Sequence, residues 1–494
     1  MERQKFGSRL GFILVSAGCA IGLGNVWKFP YLCGEYGGAA FILIYLAFLL
    51  LLGIPVLICE FSIGRGSGKS VATGFENLEP SGTRWHWMKW IGIICCYLLM
   101  MFYTMVGGWM LYYCWRSIRG EFVQASTEAV ANAFNSMLGN AGTLIFWTVL
   151  VCVLCFAVCA MGLKNGIEKV SKFMMVALLA IMVVLAIRSV TMEGAEAGLR
   201  FYLIPDFNKM VENGIGNVVF GALSQSFFTL SIGIGAMMIF GSYMPKDRAL
   251  PGEAINITIL DTSVALLAGF IIIPACFAFG IEPGAGPSLI FITLPNIFAQ
   301  MAGGRVWSAL FFLFLSFAAL TTIIAVYENL IAMMSDLFGW ERKKSVLFCL
   351  VSMLILSMPA VLGFNVLSGI APLGEGSTIM DFEDFIVSNN LLPLGSLGYV
   401  LFCTRKNGWG WMNFQKEANT GMGLHFPAGL KWYVSWCVPV IIMIIYLKGY
   451  YDMFKGGSPL RLAFWMAVAI CMLGYVIFSA AGKPKMQATK RERK

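Results

Sequence analysis

Apolar residues fill the chain in runs of about fifteen to twenty, and short polar stretches punctuate them. "AFILIYLAFLLLLGIPVLI", "FMMVALLAIMVVLAI" and "LAFWMAVAICMLGYVIFSAA" are examples. A helix needs about 20 mainly apolar residues to cross hydrocarbon. On that basis the pattern predicts twelve spans, near 8–33, 38–62, 88–118, 142–162, 168–190, 216–243, 255–280, 305–337, 345–362, 384–403, 433–450 and 461–481. The outer connection 281–304 contains "GPSLIFITLPNIFAQMAGG", amphipathic enough for a short helix lying on the membrane face. No soluble domain fits anywhere, so residues 1–494 form one transmembrane domain.

Two spans break the pattern at their centres. The first runs from apolar "LGFILVSA" into "GCAIGLGNVWKFP", residues 18–30, which brings three glycines, an Asn, a Lys and a Pro. The sixth, "VVFGALSQSFFTLSIGIGAMMIFGSY", has apolar ends around a middle of Ser, Thr and Gly. Bare N–H and C=O groups in hydrocarbon cost several kcal/mol each unless something polar satisfies them. Free carbonyls suit a small hard cation, and free amides at a half-helix N-terminus suit a carboxylate. The breaks therefore predict an ion and an anionic group at mid-membrane. A broken span opening each block of five also points to an inverted repeat, about 8–190 and 216–403, with spans near 433–481 appended.

Composition agrees with a membrane location. The 494 residues are 59% hydrophobic and 12% charged, against about 25% charge in soluble domains, and mean hydropathy is +0.77. The net charge of +9 does not indicate a nucleic-acid partner, because basic residues gather in alternate connections. Lys164, Lys169 and Lys172 form one group, Arg342, Lys343 and Lys344 another, and the tail "KPKMQATKRERK" a third. By the positive-inside rule both termini are cytoplasmic. The 14 cysteines are scattered without metal-ligand spacing, and there are only two histidines, His86 and His425. Short outer loops without paired cysteines suit a bacterial inner membrane.

With "RLGFILVSAGCAIGLGNVWKFPY", "SQSFFTLSIGIGAMM" and "FAALTT" in view, the chain resembles the neurotransmitter:sodium symporter family. The resemblance implies the LeuT fold, an all-α polytopic protein with a 5+5 inverted repeat, two additional helices, and spans 1 and 6 unwound at mid-membrane. It implies sodium at one or two sites. The first would use Ala20, Asn25, Thr229 and the substrate carboxylate; the second would use carbonyls of Gly18, Ile21 and Ala318 with hydroxyls of Thr321 and Thr322. The substrate carboxylate would meet the amides of Leu23 and Gly24 and the hydroxyl of Tyr103. Its ammonium would meet carbonyls of Ala20, Phe228 and Thr229, near Ser231. Tyr103 and Phe228 would close over it. Lys28 and Asp384 would form an outer charged pair, and Arg3, Asp336 and Tyr243 an inner gate.

Monoamine carriers of that family place an Asp where this chain has Gly22. With no acid there, the substrate must bring its own carboxylate, as an α-amino acid does. The side-chain pocket implied by the resemblance is lined by Cys19, Leu99, Ser231, Ile234, Thr322 and Val326 and carries no charge. A charged side chain there would lack a partner, so a neutral, hydrophobic L-amino acid is expected. In span 7 the preferred register puts Asp261 on a sodium-ligand position and Ala265 on the chloride position. Asp261 would then complete the first sodium site and make chloride unnecessary; Tyr45 and Gln225, which match other chloride-site positions, keep the chloride-dependent reading open.

Blander readings stand beside these. Thr321 and Thr322 could bond back to their own helix, and Glu60 and Glu328 could pair with basic groups or backbone amides rather than ions. Two functional rivals keep the same fold: a proton-coupled carrier with Asp261 or Glu60 titrating, and a non-transporting amino-acid sensor. A channel lacks a repeated polar pore face, and an enzyme lacks a catalytic constellation. Expected partners are the amino acid and the bilayer, with no nucleic acid, in a monomer or weak homodimer.

Overall fold

A computed structural model describes residues 5–212, 214–281 and 287–482. Arg3, the basic tail from Lys483 onward and part of the outer connection 281–304 lie outside the described residues. The described chain is helical almost throughout. Its spans are α1 Arg9–Ala20, α2 Gly24–Glu35, α3 Ala39–Ser67, α4 Trp85–Arg119, α5 Ala141–Ala160 and α6 Leu163–Val190. They continue as α7 Ile215–Thr229 and α8 Ala236–Tyr243, then α9 Leu250–Ala278, α10 Gly304–Phe338 and α11 Arg342–Leu362. The last three are α12 Ile379–Thr404, α13 Ala428–Phe454 and α14 Pro459–Ala480.

Among the described residues, ten of these helices are individually long and apolar enough to cross a membrane, and the pair α1–α2, bent by 60°, makes an eleventh. The sixth predicted span is the pair α7–α8, each half short of a full crossing, with residues 230–235 non-helical between them. The breaks fall inside the stretches where glycine, serine and asparagine interrupt the apolar runs. Gly233 and Gly235 there have φ of +99° and +84°, a region open to glycine but strained for other residues. Ser231 shares it at φ +49°, as non-glycine residues seldom do outside functional sites.

Depth in the bundle varies sharply from span to span. In α12, 78% of the most apolar window is buried inside the protein, against 17% in the appended α14. The windows of α4 and α10 are each 72% buried, so they line the interior with α12, and the last helix is the most peripheral of the ten. Outside the spans, Leu289–Gln300 is the short helix expected on the outer face. On the opposite side Trp411–Ala418 lies under the bundle, held where Arg65 Nε meets Glu417 Oε1 at 2.8 Å.

Candidate functional site

The end of α1 places the carbonyls of Gly18 and Ile21 beside α10. Ile21 is extended, with φ −68° and ψ 94°, which turns its carbonyl away from the helical direction. Thr322 Oγ1 lies 3.1 Å from Gly18 O, 3.0 Å from Ile21 O and 3.2 Å from Ala318 O. Thr321 Oγ1 lies 3.0 Å from the same Ala318 oxygen. A hydroxyl has one proton, so Thr322 can satisfy only one of three converging carbonyls at a time. An oxygen-only cage of neutral donors is the chemistry a small hard cation takes.

A second cluster lies on the other side of the α1–α2 break. Asn25 Nδ2 donates to Asp261 Oδ1 at 2.8 Å and to Thr229 Oγ1 at 3.1 Å, and Thr229 donates to Asp261 Oδ2 at 2.7 Å. Asn25 Oδ1 accepts from the Gly22 amide at 3.3 Å. Asp261, fully buried in α9, is thereby joined to α2 and α7. The side chain of Asp261 thus meets those of Asn25 and Thr229, the residues with which the expected register groups it. Tyr45 Oη points at Thr229 Oγ1, 3.4 Å away, and Gln225 Nε2 donates to the Gly24 carbonyl at 3.2 Å. Ala20 is the last residue of α1 and is buried.

Between the clusters, the Leu23 N–H donates to Tyr103 Oη at 3.0 Å. Amide and phenol thus meet where a carboxylate could take hydrogen bonds from both. A Cβ on Gly22 would stand 2.5 Å from Tyr103 Oη, and one on Gly24 2.5 Å from the Phe228 ring. Both positions are closed to any larger residue while Tyr103 and Phe228 hold these places. Ser231 Oγ lies 3.4 Å from the Cys19 carbonyl, and Cys96 donates to the Ile234 carbonyl at 3.2 Å. Cys19, Ile234 and Val326 are fully buried, and Leu99 is half-buried on α4.

The expected gates are arranged differently from simple ion pairs. Lys28 Nζ stands 4.1 Å above the Phe228 ring centroid, while Asp384 accepts from Ser388 Oγ at 2.7 Å. Lys28 and Asp384 are not within salt-bridge distance among the described residues, but the two charges lie close enough to act on each other. A cation over an aromatic face is attracted by the ring quadrupole, so Lys28 and Phe228 hold each other in place. At the other end Asp336 accepts from Ser70 N at 2.8 Å and Ser70 Oγ at 2.7 Å, with Lys69 Nζ at 3.5 Å. Tyr243 Oη donates to Glu328 Oε1 at 2.7 Å, and Arg342 grips both oxygens of Glu328 at 3.0 and 2.5 Å. Arg3 lies outside the described residues.

Glu60 proves to be a partner of backbone amides. It accepts from Gly233 N at 2.8 Å and Met237 N at 3.1 Å, capping α8 where the break leaves its first amides bare. Glu60→Ala strands two buried donors, at about 1–3 kcal/mol each. The apparent Tm of the detergent-solubilised protein is expected to fall clearly for Ala and less for Gln, which keeps an acceptor oxygen. Sequence reasoning did not identify the clamp on the first residues of the chain. Glu168 accepts from Gly7 N and Ser8 Oγ, both at 2.7 Å, and Arg9 pairs with buried Glu253 at 2.9 Å. No local motif marks these pairs, which join residues more than 150 positions apart.

Comparison with known proteins settles the family. The sodium:neurotransmitter symporter family is matched over residues 3–137 and 128–453. The chain belongs to that family. It is 35% identical over 458 residues to an uncharacterized sodium-dependent transporter, YhdH, of Bacillus subtilis, covering 91% of this chain and 98% of the relative. A second relative, an uncharacterized sodium-dependent transporter of Haemophilus influenzae, is 32% identical over 460 residues, 90% of this chain and 98% of that one. A crystal structure of MhsT in complex with L-phenylalanine superposes with a TM-score of 0.80 at 37% identity, covering 90% of this chain and 99% of that one. The fold is therefore the LeuT fold, with its 5+5 inverted repeat, and the protein is a multi-pass, sodium-dependent membrane transporter rather than an enzyme.

Proposed function

We propose that the protein is a symporter importing a neutral, hydrophobic L-amino acid together with sodium by alternating access. The carrying observation is the meeting of the Leu23 amide and Tyr103 hydroxyl beside Gly22, where no acidic side chain stands. The Leu23 N–H, which here donates to the phenol oxygen, and the Tyr103 O–H are two donors that a solute carboxylate would take once it parts them. The uncharged walls at Cys19, Ile234 and Val326 suit an apolar side chain, and the relative MhsT is described in complex with L-phenylalanine. Sodium in the Asn25–Thr229–Asp261 cluster would touch the same carboxylate. Sodium in the cage of Gly18, Ile21, Ala318, Thr321 and Thr322 would tie α1 to α10. Each positive charge moved inward gains about 2.3 kcal/mol per 100 mV, so sodium entry can drive accumulation.

In this reading the protein sits in a bacterial inner membrane with both termini cytoplasmic, as a monomer or weak homodimer. Tyr103 and Phe228 close the outer side, weighted by Lys28, while Asp336 and Tyr243 hold the inner side. Purified protein in liposomes with an inward sodium gradient should accumulate one neutral amino acid. Accumulation driven in choline by a proton gradient would replace this reading with the proton-coupled one. Binding without accumulation would make the protein a sensor.

Chloride is not part of the cycle. The fixed charge in the Asn25–Thr229 cluster comes from Asp261, and two donors a halide would use, Tyr45 Oη and Gln225 Nε2, are directed at Thr229 and the Gly24 carbonyl. Replacing external chloride with gluconate is expected to leave uptake within twofold of its original rate. A tenfold loss would overturn chloride independence and leave sodium coupling intact.

A further inference from the structure

One face of α6 stands apart from the transport pathway. Lys169, Lys172, Phe173, Val176, Ala177 and Ala180 border an open groove of about 440 Å³. The spacing of three, four, seven, eight and eleven from Lys169 keeps them on one side of the helix. Phe173 is 69% exposed and Val176 58%, so the apolar part is uncovered by protein. Phe173 meets Phe317 of α10 edge-on, ring centroids 6.4 Å apart, which gives the groove an aromatic border.

Chemistry divides this face at one level. The two lysines stand at its end nearest the loop, and neither is ion-paired with a carboxylate among the described residues. Everything below them is apolar. From Lys169 to Ala180 the helix rises roughly 16 Å at 1.5 Å per residue, close to the ~15 Å of hydrocarbon in one leaflet. Amphiphile and groove therefore match in length as well as in charge.

We infer that this face of α6 binds an anionic phospholipid of the cytoplasmic leaflet, its phosphate between Lys169 and Lys172 and an acyl chain along Phe173, Val176, Ala177 and Ala180. A zwitterionic lipid would bring the same chains without net charge, and basic clusters at this level favour anionic headgroups by roughly 1 kcal/mol per lysine or arginine. The inference is independent of which solute is carried and draws on the proposed orientation only for the leaflet. Its position gives the lipid a mechanical role. Glu168, one residue before Lys169, turns inward to hold Gly7 and Ser8. A headgroup on Lys169 thus anchors, at the membrane surface, the foot of the helix that clamps the start of α1.

The test is native mass spectrometry of the detergent-solubilised protein titrated with dioleoylphosphatidylglycerol or dioleoylphosphatidylcholine. The first phosphatidylglycerol is expected to bind in preference to phosphatidylcholine. Lys169→Gln with Lys172→Gln should weaken it by roughly ten- to thirty-fold. Lys343→Gln with Lys344→Gln, two exposed lysines at the start of α11, should leave it unchanged. Ala177→Trp, which fills the groove and keeps both charges, should weaken it as well. Equal retention of phosphatidylglycerol by the Lys169/Lys172 variant and the parent, or equal binding of the two lipids, would overturn the site. These outcomes are read without any transport measurement, so they stand apart from the fate of the amino-acid assignment.

Discussion

Asp261→Ala is expected to lower the sodium affinity of solute binding by at least about 100-fold, or roughly 2.7 kcal/mol. The carboxylate is fully buried and takes hydrogen bonds from Asn25 and Thr229 on two other helices. Alanine leaves both donors facing a void, at about 1–3 kcal/mol each, and removes the negative charge closest to the cluster. Asp261→Asn separates these contributions, since it keeps shape and one acceptor oxygen but not the charge. Asn is expected to lose less than Ala and to remain well below the parent. The sodium dependence of amino-acid-induced thermal stabilisation measures both variants on one scale. An unchanged sodium midpoint in Asp261→Ala would remove this residue from the ion site.

Gly24→Ala should reduce uptake by roughly 100-fold, the size of loss that a misplacement of about 1 Å can produce. Its new Cβ would lie 2.5 Å from Phe228 Cε1 and 2.7 Å from Cδ1, whereas carbon atoms pack at about 3.5–4.0 Å. The ring must therefore move by about 1 Å, taking the overlying Lys28 out of register. Gly22→Ala should act on solute affinity instead, because its Cβ would press on Tyr103 Oη at 2.5 Å and approach Thr322 Oγ1 at 3.4 Å. A matched control exists in α7, where Gly216 has open space around its Cβ position. Gly216→Ala should leave both uptake and affinity unchanged. Uptake at saturating and limiting amino acid separates the two defects: Gly24→Ala loses maximal rate, and Gly22→Ala loses apparent affinity.

The breaks were legible because their physics is local. Three glycines, an asparagine and a proline within residues 18–30 cannot continue an apolar helix without cost, and the structure bends the chain by 60° there. The register of span 7, with Asp261 at a sodium-ligand position and Ala265 at the chloride position, was harder to read. Positions four apart share a helix face, so periodicity alone does not fix the register, and it is the packing of α9 that brings Asp261 against Asn25 and Thr229. Glu60 illustrates another limit. Its partners Gly233 and Met237 lie more than 170 residues away, and a membrane acid reads the same whether it faces amides, a cation or a base. Lys28 and Asp384 differ again: opposite charges at an expected gate suggest a bridge, yet the aromatic face of Phe228 and the hydroxyl of Ser388 are their local partners.

In the proposed cycle a solute carboxylate and sodium complete one site together. Thermal unfolding of the purified protein against the common amino acids, in sodium and in choline at matched ionic strength, tests it most directly. A neutral, hydrophobic amino acid is expected to stabilise the protein in sodium, with little or no effect in choline. Equal stabilisation in both salts would contradict it, because the solute would then bind without the ion whose shell its carboxylate is proposed to complete.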